Sequence, residues 1–338
     1  ADANALPIGT EGQSLSDDYF TVEKNPDGSR LIVTALQDNM SGDAGPVRRF
    51  VITAHRWKIL VTVRQKYSVA ASTVINLLTF NAGLGNLGTN LVASVSPDGR
   101  AGGIRGILDN RNNFGPDGNV ICGGYNLIRS NTNNNRLTDA LFAAFDVVYV
   151  HYMGNAYFGN EDAKKVHDWL KARKNRVLIA SYDATDVSKY LIDELLGGNS
   201  DIKYLTANNG EFAVAPSSVD NSYFTSTGPF TSGSYTPVSP GFSFRNYDAY
   251  HGEILLNTES AKGITPILTG KAGGIVLGVD YSRRIVYIGD TDLGNSLSGT
   301  GGTSDNRINN TTGEINNDAS KLIANLFAWI TDVVLYGE

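Results

Sequence analysis

From residue 74 onward the chain alternates two kinds of segment, and that alternation limits the fold more than any other feature. Val74 to Phe80 (VINLLTF) is almost continuously apolar, as a strand covered on both faces of a parallel sheet requires. Asp146 to Val150 (DVVYV) and Asn175 to Ser181 (NRVLIAS) repeat the pattern, and Asn119 to Ile128 (NVICGGYNLI) reads as a weaker second strand. Helical stretches lie between them. Leu137 to Phe145 is one. Glu161 to Arg173 is another, with Val166, Trp169 and Leu170 on one face, acidic residues at its start and basic ones at its end. Asp186 to Leu196 is a third, stopped by Gly197-Gly198. Gly274 to Asp280 and Arg284 to Ile288 flank a turn at Tyr281 to Arg283 and form a hairpin. A final helix, Asn317 to Val333, directs Leu322, Ile323, Leu326, Phe327 and Ile330 toward a core. Strand and helix signals at this spacing predict an α/β fold with a mostly parallel sheet and flanking helices.

The first 67 residues are different. Ser29 to Ala35, Val47 to Ala54 and Trp57 to Gln65 are short alternating runs, and Asn25-Pro26-Asp27-Gly28 has hairpin-turn chemistry, with His55-Arg56 a second turn by spacing. A small antiparallel β domain over 1–67 and an α/β domain over 74–338 are therefore expected. Residues 200 to 270, rich in Ser, Thr, Gly, Tyr and Pro, read as long loops over the sheet.

Composition removes several classes of function. The 338 residues carry a formal net charge of -6, against a nucleic-acid or anionic-membrane binder, which needs a basic field. A single cysteine excludes an internal disulfide and a four-cysteine zinc site. No run of 18 or more apolar residues occurs, so no transmembrane segment is predicted. The chain opens on Ala1-Asp2 with no leader ahead of it, as a processed form would. Asn, Gly, Ser and Thr dominate over Lys and Glu, a balance common in exported bacterial proteins.

In an open parallel sheet, ligands bind beyond the carboxyl ends of the strands. Those ends name the candidate ligand-binding residues: Asn81; His151 and Tyr152; Ser181, Tyr182 and Asp183; Asp290, Asp292 and Asn295. Asp and Asn at strand ends also serve as helix caps and turn formers, which is the competing explanation. Asp290 and Asp292 with Asn295 fall short of a calcium loop, and His55, His151, His167 and His251 match no metal spacing, so no metal is expected. Gly83-Leu84-Gly85-Asn86-Leu87-Gly88 has dinucleotide-loop spacing, but no acidic residue closes a second strand some twenty residues on, and no cofactor is expected. Cys122 lacks a nearby base and an exposing turn, and reads as a buried small hydrophobe. Tyr152, Tyr157, Phe158, Tyr182, Tyr223, Phe224, Phe230, Tyr235, Phe242, Phe244, Tyr247 and Tyr250 either form an aromatic face for sugars or proteins or plug the 200 to 250 segment onto the sheet.

Two stretches resemble known families. SRLIVTALQDN and GPVRRFVITAHRWKILVTVRQK, within residues 29 to 66, resemble the last strands of BACON-type, immunoglobulin-like β-sandwich domains of Bacteroidetes surface proteins. FDVVYVHYMGN, NRVLIASYD, RRIVYIGDTDLGN and the final NNDASKLIANLFAWITD, with Ala328-Trp329 near its end, resemble the class I glutamine-amidotransferase-like superfamily in its ThuA-like branch. That resemblance implies a flavodoxin-like sheet. The superfamily's catalytic Cys follows the strand matching RVLIAS; here Ser181, Tyr182 and Asp183 stand there, and a His-x-Glu pair near the C-terminus is missing, so glutamine hydrolysis is not expected. NNFGPDGNV with WLKARKNRVLI also resembles large Bacteroidetes surface and fimbria-associated proteins.

These readings lead to a secreted or surface-anchored bacterial protein that binds a glycan or protein ligand without catalysis. The alternative is a carbohydrate-active hydrolase or isomerase with His151, Asp183 or Asp290 as acid or base. A third reading, a pilus component, requires a strand-accepting groove in residues 1 to 67.

Overall fold

The structure, a computed structural model, describes residues 14–15, 20–24, 31–35, 48–52, 70–81, 103–130, 143–151, 160–181, 202–205, 211–214, 221–245, 253–256, 263–270, 274–288 and 313–337. The chain divides into two compact units, Ala1–Ser72 and Thr73–Glu338. In the first, β1 (Ser14–Leu15), β2 (Phe20–Lys24), β3 (Leu31–Ala35) and β4 (Arg48–Ile52) form an antiparallel sheet in sequence order. β2 and β3 pair from Phe20 with Ala35 to Lys24 with Leu31, flanking the Asn-Pro-Asp-Gly turn sequence. The expected strand over Trp57 to Gln65 lies outside the described residues.

The second unit is built on five parallel strands: β5 (Ile75–Asn81), β8 (Tyr125–Ser130), β9 (Val147–His151), β10 (Val177–Ser181) and β17 (Ile285–Ile288). Their order across the sheet, β8-β5-β9-β10-β17, is 2-1-3-4-5 in chain order. This is the flavodoxin-like arrangement, so the expected α/β fold is present. Side chains alternate between the faces. Leu77, Val147, Tyr149, Val177, Ile179, Val286 and Ile288 share one core with Leu322, Ile323, Leu326, Phe327 and Ile330 of α3 (Asp318–Tyr336). α1 (Gly103–Asp109) contacts α3 and so lies on the same face. The other face carries Leu78, Val148, Val150, Leu178, Ala180 and Ile285, all buried. The crossover from β9 to β10 brings α2 (Asn160–Ala172), with Ala163, Val166, Trp169 and Leu170 buried, against that face.

Arginines close the far end of α2. Arg176 Nη1 donates to the Trp169 carbonyl at 2.7 Å, and Arg284 donates to the carbonyls of Leu170 (Nη2, 2.9 Å) and Arg176 (Nε, 3.1 Å). The last carbonyls of a helix lack partners within it, and cations suit that end. Arg284 does this from a left-handed backbone, φ 61°, in the turn that precedes β17.

α3 is long and apolar enough to cross a membrane, with mean hydropathy 1.2 over 18 residues, yet 83% of that window is buried inside the protein. Asn317 caps it: Asn317 Oδ1 accepts from Ser320 N and Ser320 Oγ accepts from Asn317 N, a reciprocal capping box.

The loops expected over residues 200 to 270 give way to strands. β11 (Ile202–Leu205), β12 (Glu211–Val214), β13 (Ser243–Arg245), β14 (Glu253–Leu256) and β15 (Ile264–Gly270) join β16 (Ile275–Asp280) in an antiparallel extension of an 11-stranded sheet. Each is 3 to 7 residues long; β11 to β14 pair with chain distant in sequence, so no local run announces them, whereas β15 pairs with the adjacent β16. The predicted hairpin is present, with Asp280 opposite Ile285. The weak second strand splits at Gly123-Gly124 into β7 (Val120–Ile121), paired with β6 (Phe114–Gly115), and β8. Gly124 has φ 94°, and a Cβ on Gly123 would stand 2.7 Å from the Thr73 carbonyl carbon, so both positions demand glycine.

Residues 221 to 242 form a strap over α3, opening with a single π-type turn, Tyr223–Thr227. Phe224, Phe230 and Phe242 are buried in the α3 core. Asn325, fully buried, accepts from Phe230 N (2.9 Å) and donates to the Phe224 carbonyl (3.1 Å) and Thr231 Oγ1 (3.0 Å). Lys321 donates to Thr236 Oγ1, Tyr223 donates to Asp332, and Asp318 accepts from Ser239 N. A polar stripe along an otherwise apolar helix is thus consumed by the strap.

Candidate functional site

Parallel strands in register bring the ends of β5, β9 and β10 to one line. Asn81 is opposite His151, and Val150 is opposite Ala180, which sets Ser181 beside His151 at the next position. Ser181 in turn pairs with Ile288, the last residue of β17. At about 4.8 Å per strand, Asn81 and Ser181 are roughly 10 Å apart, with His151 between them. The row crosses the β5/β9 boundary, where chain order reverses as the path leaves β8 for β9. In open α/β sheets that reversal is the site of the ligand crevice.

Ser181 is fully buried, and its hydroxyl has no hydrogen-bond partner. Leaving a buried hydroxyl unpaired costs about 1–3 kcal/mol, so it stands out from the apolar residues preceding it in β10. Tyr287, opposite Ala180 and therefore on the other face, has a second buried hydroxyl without a partner. Burial chiefly, with the Asp280 charge adding and Arg283 opposing, pushes this phenol far above its usual range. It remains a neutral donor throughout the working pH range. The sequence reading missed Tyr287. The signal for it was a tyrosine standing one residue from the end of an otherwise aliphatic strand.

The other predicted ligand-binding residues, Tyr152, Tyr182, Asp183, Asp290, Asp292 and Asn295, lie outside the described residues, as does the Gly83 to Gly88 loop. The structure therefore brings together Asn81, His151 and Ser181 by register. Cys122 is fully buried in the α3 core, with Gly124 N donating to its Sγ at 3.4 Å. It sits between β7 and β8 and not within a strand as expected, because the paired glycines break the run. Of the aromatics, Phe224, Phe230 and Phe242 plug the strap onto α3. Among the described residues no three His, Cys, Asp or Glu side chains converge as a metal site would require.

No family model and no curated protein matches the chain. Among solved structures it is similar to one from Thermoplasma acidophilum assigned as part of a GMP synthase, at 7% identity and a TM-score of 0.35, over 63% of this chain and 82% of that one. A likeness so distant says nothing about activity. The α/β assignment rests on the strand order itself.

Proposed function

We propose that this protein is a non-catalytic binding module that takes a glycan or protein ligand at the carboxyl ends of β5, β9, β10 and β17. The observation that carries this reading is the buried, unpartnered Ser181 hydroxyl in the Asn81, His151, Ser181 row, at the point where the strand order reverses. Tyr152, Tyr182 and Asp183 follow that row directly in sequence, and Asp290, Asp292 and Asn295 follow β17, so aromatic faces and oxygen acceptors are available close by in the chain. The resemblance to amidotransferase-like domains supports binding over glutamine hydrolysis, because Ser181, Tyr182 and Asp183 replace the family's cysteine. The BACON-like features of residues 29 to 66 favour a secreted or cell-surface setting with a role in adhesion. The test is a glycan array and a screen of extracellular proteins with the full chain, followed by titration calorimetry on Tyr182→Ala and Asp183→Asn. A ligand whose affinity is unchanged by both substitutions would move the site elsewhere.

One observation favours a second reading, a carbohydrate-active hydrolase or isomerase. His151 and Ser181 follow the paired Val150 and Ala180 on adjacent strands, so the register sets an imidazole-bearing residue beside a hydroxyl-bearing one. Chromatography of a bound glycan before and after prolonged incubation separates the two: intact ligand supports binding alone, and turnover lost in His151→Ala supports the enzyme.

A further inference from the structure

We propose that a groove along α2, remote from the Ser181 row, is a second binding site, for a small organic acid with one carboxylate and an apolar body. The groove encloses about 440 Å³, within the size range of small-ligand pockets. Glu161, Lys164, Lys165 and Asp168 recur every three to four residues and so form one stripe along the helix. Trp169, Arg176 and Ala143 complete the lining. Arg176 immediately precedes β10, and Ala143 lies four residues before β9, so these two stand at the amino ends of the strands, opposite to Ser181.

Arg176 makes this groove a built site. Its side chain is only 5% exposed, an unusual position for a group that stays charged at any working pH. The guanidinium lies over the Trp169 ring at 5.1 Å, and its Nη1 donates to the Trp169 carbonyl. Capping the helix accounts for that bond. It does not account for Nε, which is buried with no hydrogen-bond partner. Nε and Nη2 form the side of a guanidinium that grips a carboxylate through two parallel hydrogen bonds. A carboxylate on that side would satisfy the orphaned donor, with Trp169 as an apolar wall for the rest of the molecule.

Charge narrows the ligand. Three cationic side chains, Lys164, Lys165 and Arg176, face two carboxylates, Glu161 and Asp168, leaving one net positive charge. A monoanion neutralises this lining; a phosphate dianion would meet Glu161 and Asp168 with an excess charge.

The experiment is titration of the full chain with benzoate and with hexanoate, read by saturation-transfer NMR and tryptophan fluorescence, with inorganic phosphate and benzyl alcohol as comparisons. The expected result is saturable binding of at least one of the two acids, at least tenfold tighter than phosphate or the neutral alcohol. Arg176→Lys should weaken it tenfold or more. Ala143→Phe fills the groove while leaving Arg176 in place, and should abolish binding with an unchanged circular dichroism spectrum, which covers the case in which Arg176→Lys fails to fold. Absence of saturable binding by both acids, equal binding of phosphate, or an undiminished affinity in Ala143→Phe would overturn the proposal.

Discussion

Asn325→Leu asks how much of the second unit's stability depends on one buried amide. The substitution keeps approximately the volume of the side chain, so no large cavity opens, but it removes the acceptor for Phe230 N and the donor for the Phe224 carbonyl and Thr231 Oγ1. Thr231 Oγ1 also donates to the Gly228 carbonyl at 3.3 Å and keeps that partner. Two backbone groups are left buried and unpaired, at about 1–3 kcal/mol each. Leu adds roughly 1 kcal/mol of apolar burial in return. The net loss is about 1–5 kcal/mol, a large fraction of the ~5–15 kcal/mol that holds a typical domain together. Urea unfolding followed by Trp329 fluorescence, with Trp57 and Trp169 replaced by Phe, reads the global loss. Hydrogen exchange over 221 to 242 reads the local one, and Phe230 should lose the most protection. A midpoint change equivalent to less than about 0.5 kcal/mol, with exchange unaltered, would refute the assignment of Asn325 as the tie between strap and helix.

Ser181→Ala removes a buried hydroxyl that has no partner, so it should leave stability unchanged or raise it by up to about 1 kcal/mol; differential scanning fluorimetry showing a loss above 1 kcal/mol would mean the hydroxyl supports the fold. Arg284→Ala loses its hydrogen bonds to the Leu170 and Arg176 carbonyls and should cost roughly 2 kcal/mol in a denaturation curve. Arg284→Gly loses the same contacts but relieves the φ 61° backbone, and should be less damaging by roughly 0.5–1 kcal/mol. Asp318 supplies a pH test. Burial alone would raise its carboxyl, but hydrogen bonds from Ser239 and Lys321 outweigh that and hold it below the usual carboxylate range. A depressed folded-state value means the contribution is present above the unfolded value, near 3.9, and is lost as pH falls through the folded one. Asp318→Asn should therefore lose less stability than the parent between pH 5 and pH 2, measured by acid titration of the thermal midpoint.

The parallel strands were legible because each is covered on both faces and so is apolar along its length: VINLLTF, DVVYV and RVLIAS need no distant partner to be recognised. α2 was legible through its amphipathic period. The strands of the antiparallel extension were not, since IKYL, EFAV and SFR acquire strand character only from pairing with chain tens of residues away. The capping of α2 by Arg284 was equally hidden, because it joins residues 114 apart. At the candidate site, strand ends could be named from the sequence, but the alignment of Asn81, His151 and Ser181 is a property of register. Register emerges only when three strands pair. The unsatisfied Ser181 and Arg176 groups leave no trace in a sequence, which records what a residue can bond and not whether it does.

The pairing of β10 with β17 also has a consequence for biosynthesis. Ser181 and Ile288 are 107 positions apart, whereas β9 and β10 pair across 30. Closing the longer loop costs only about 1 kcal/mol more, a minor term for equilibrium stability. The delay is more serious. At roughly 5–20 residues per second, a ribosome needs about 5–20 s to deliver β17 after β10, and for that interval the apolar β10 is an unpaired sheet edge open to other nascent chains. β16 emerges just before β17 and is joined to it by a tight hairpin, so both can dock as a preformed ribbon. The turn at Asp280 to Ile285 therefore governs how soon that edge is covered once β17 has emerged.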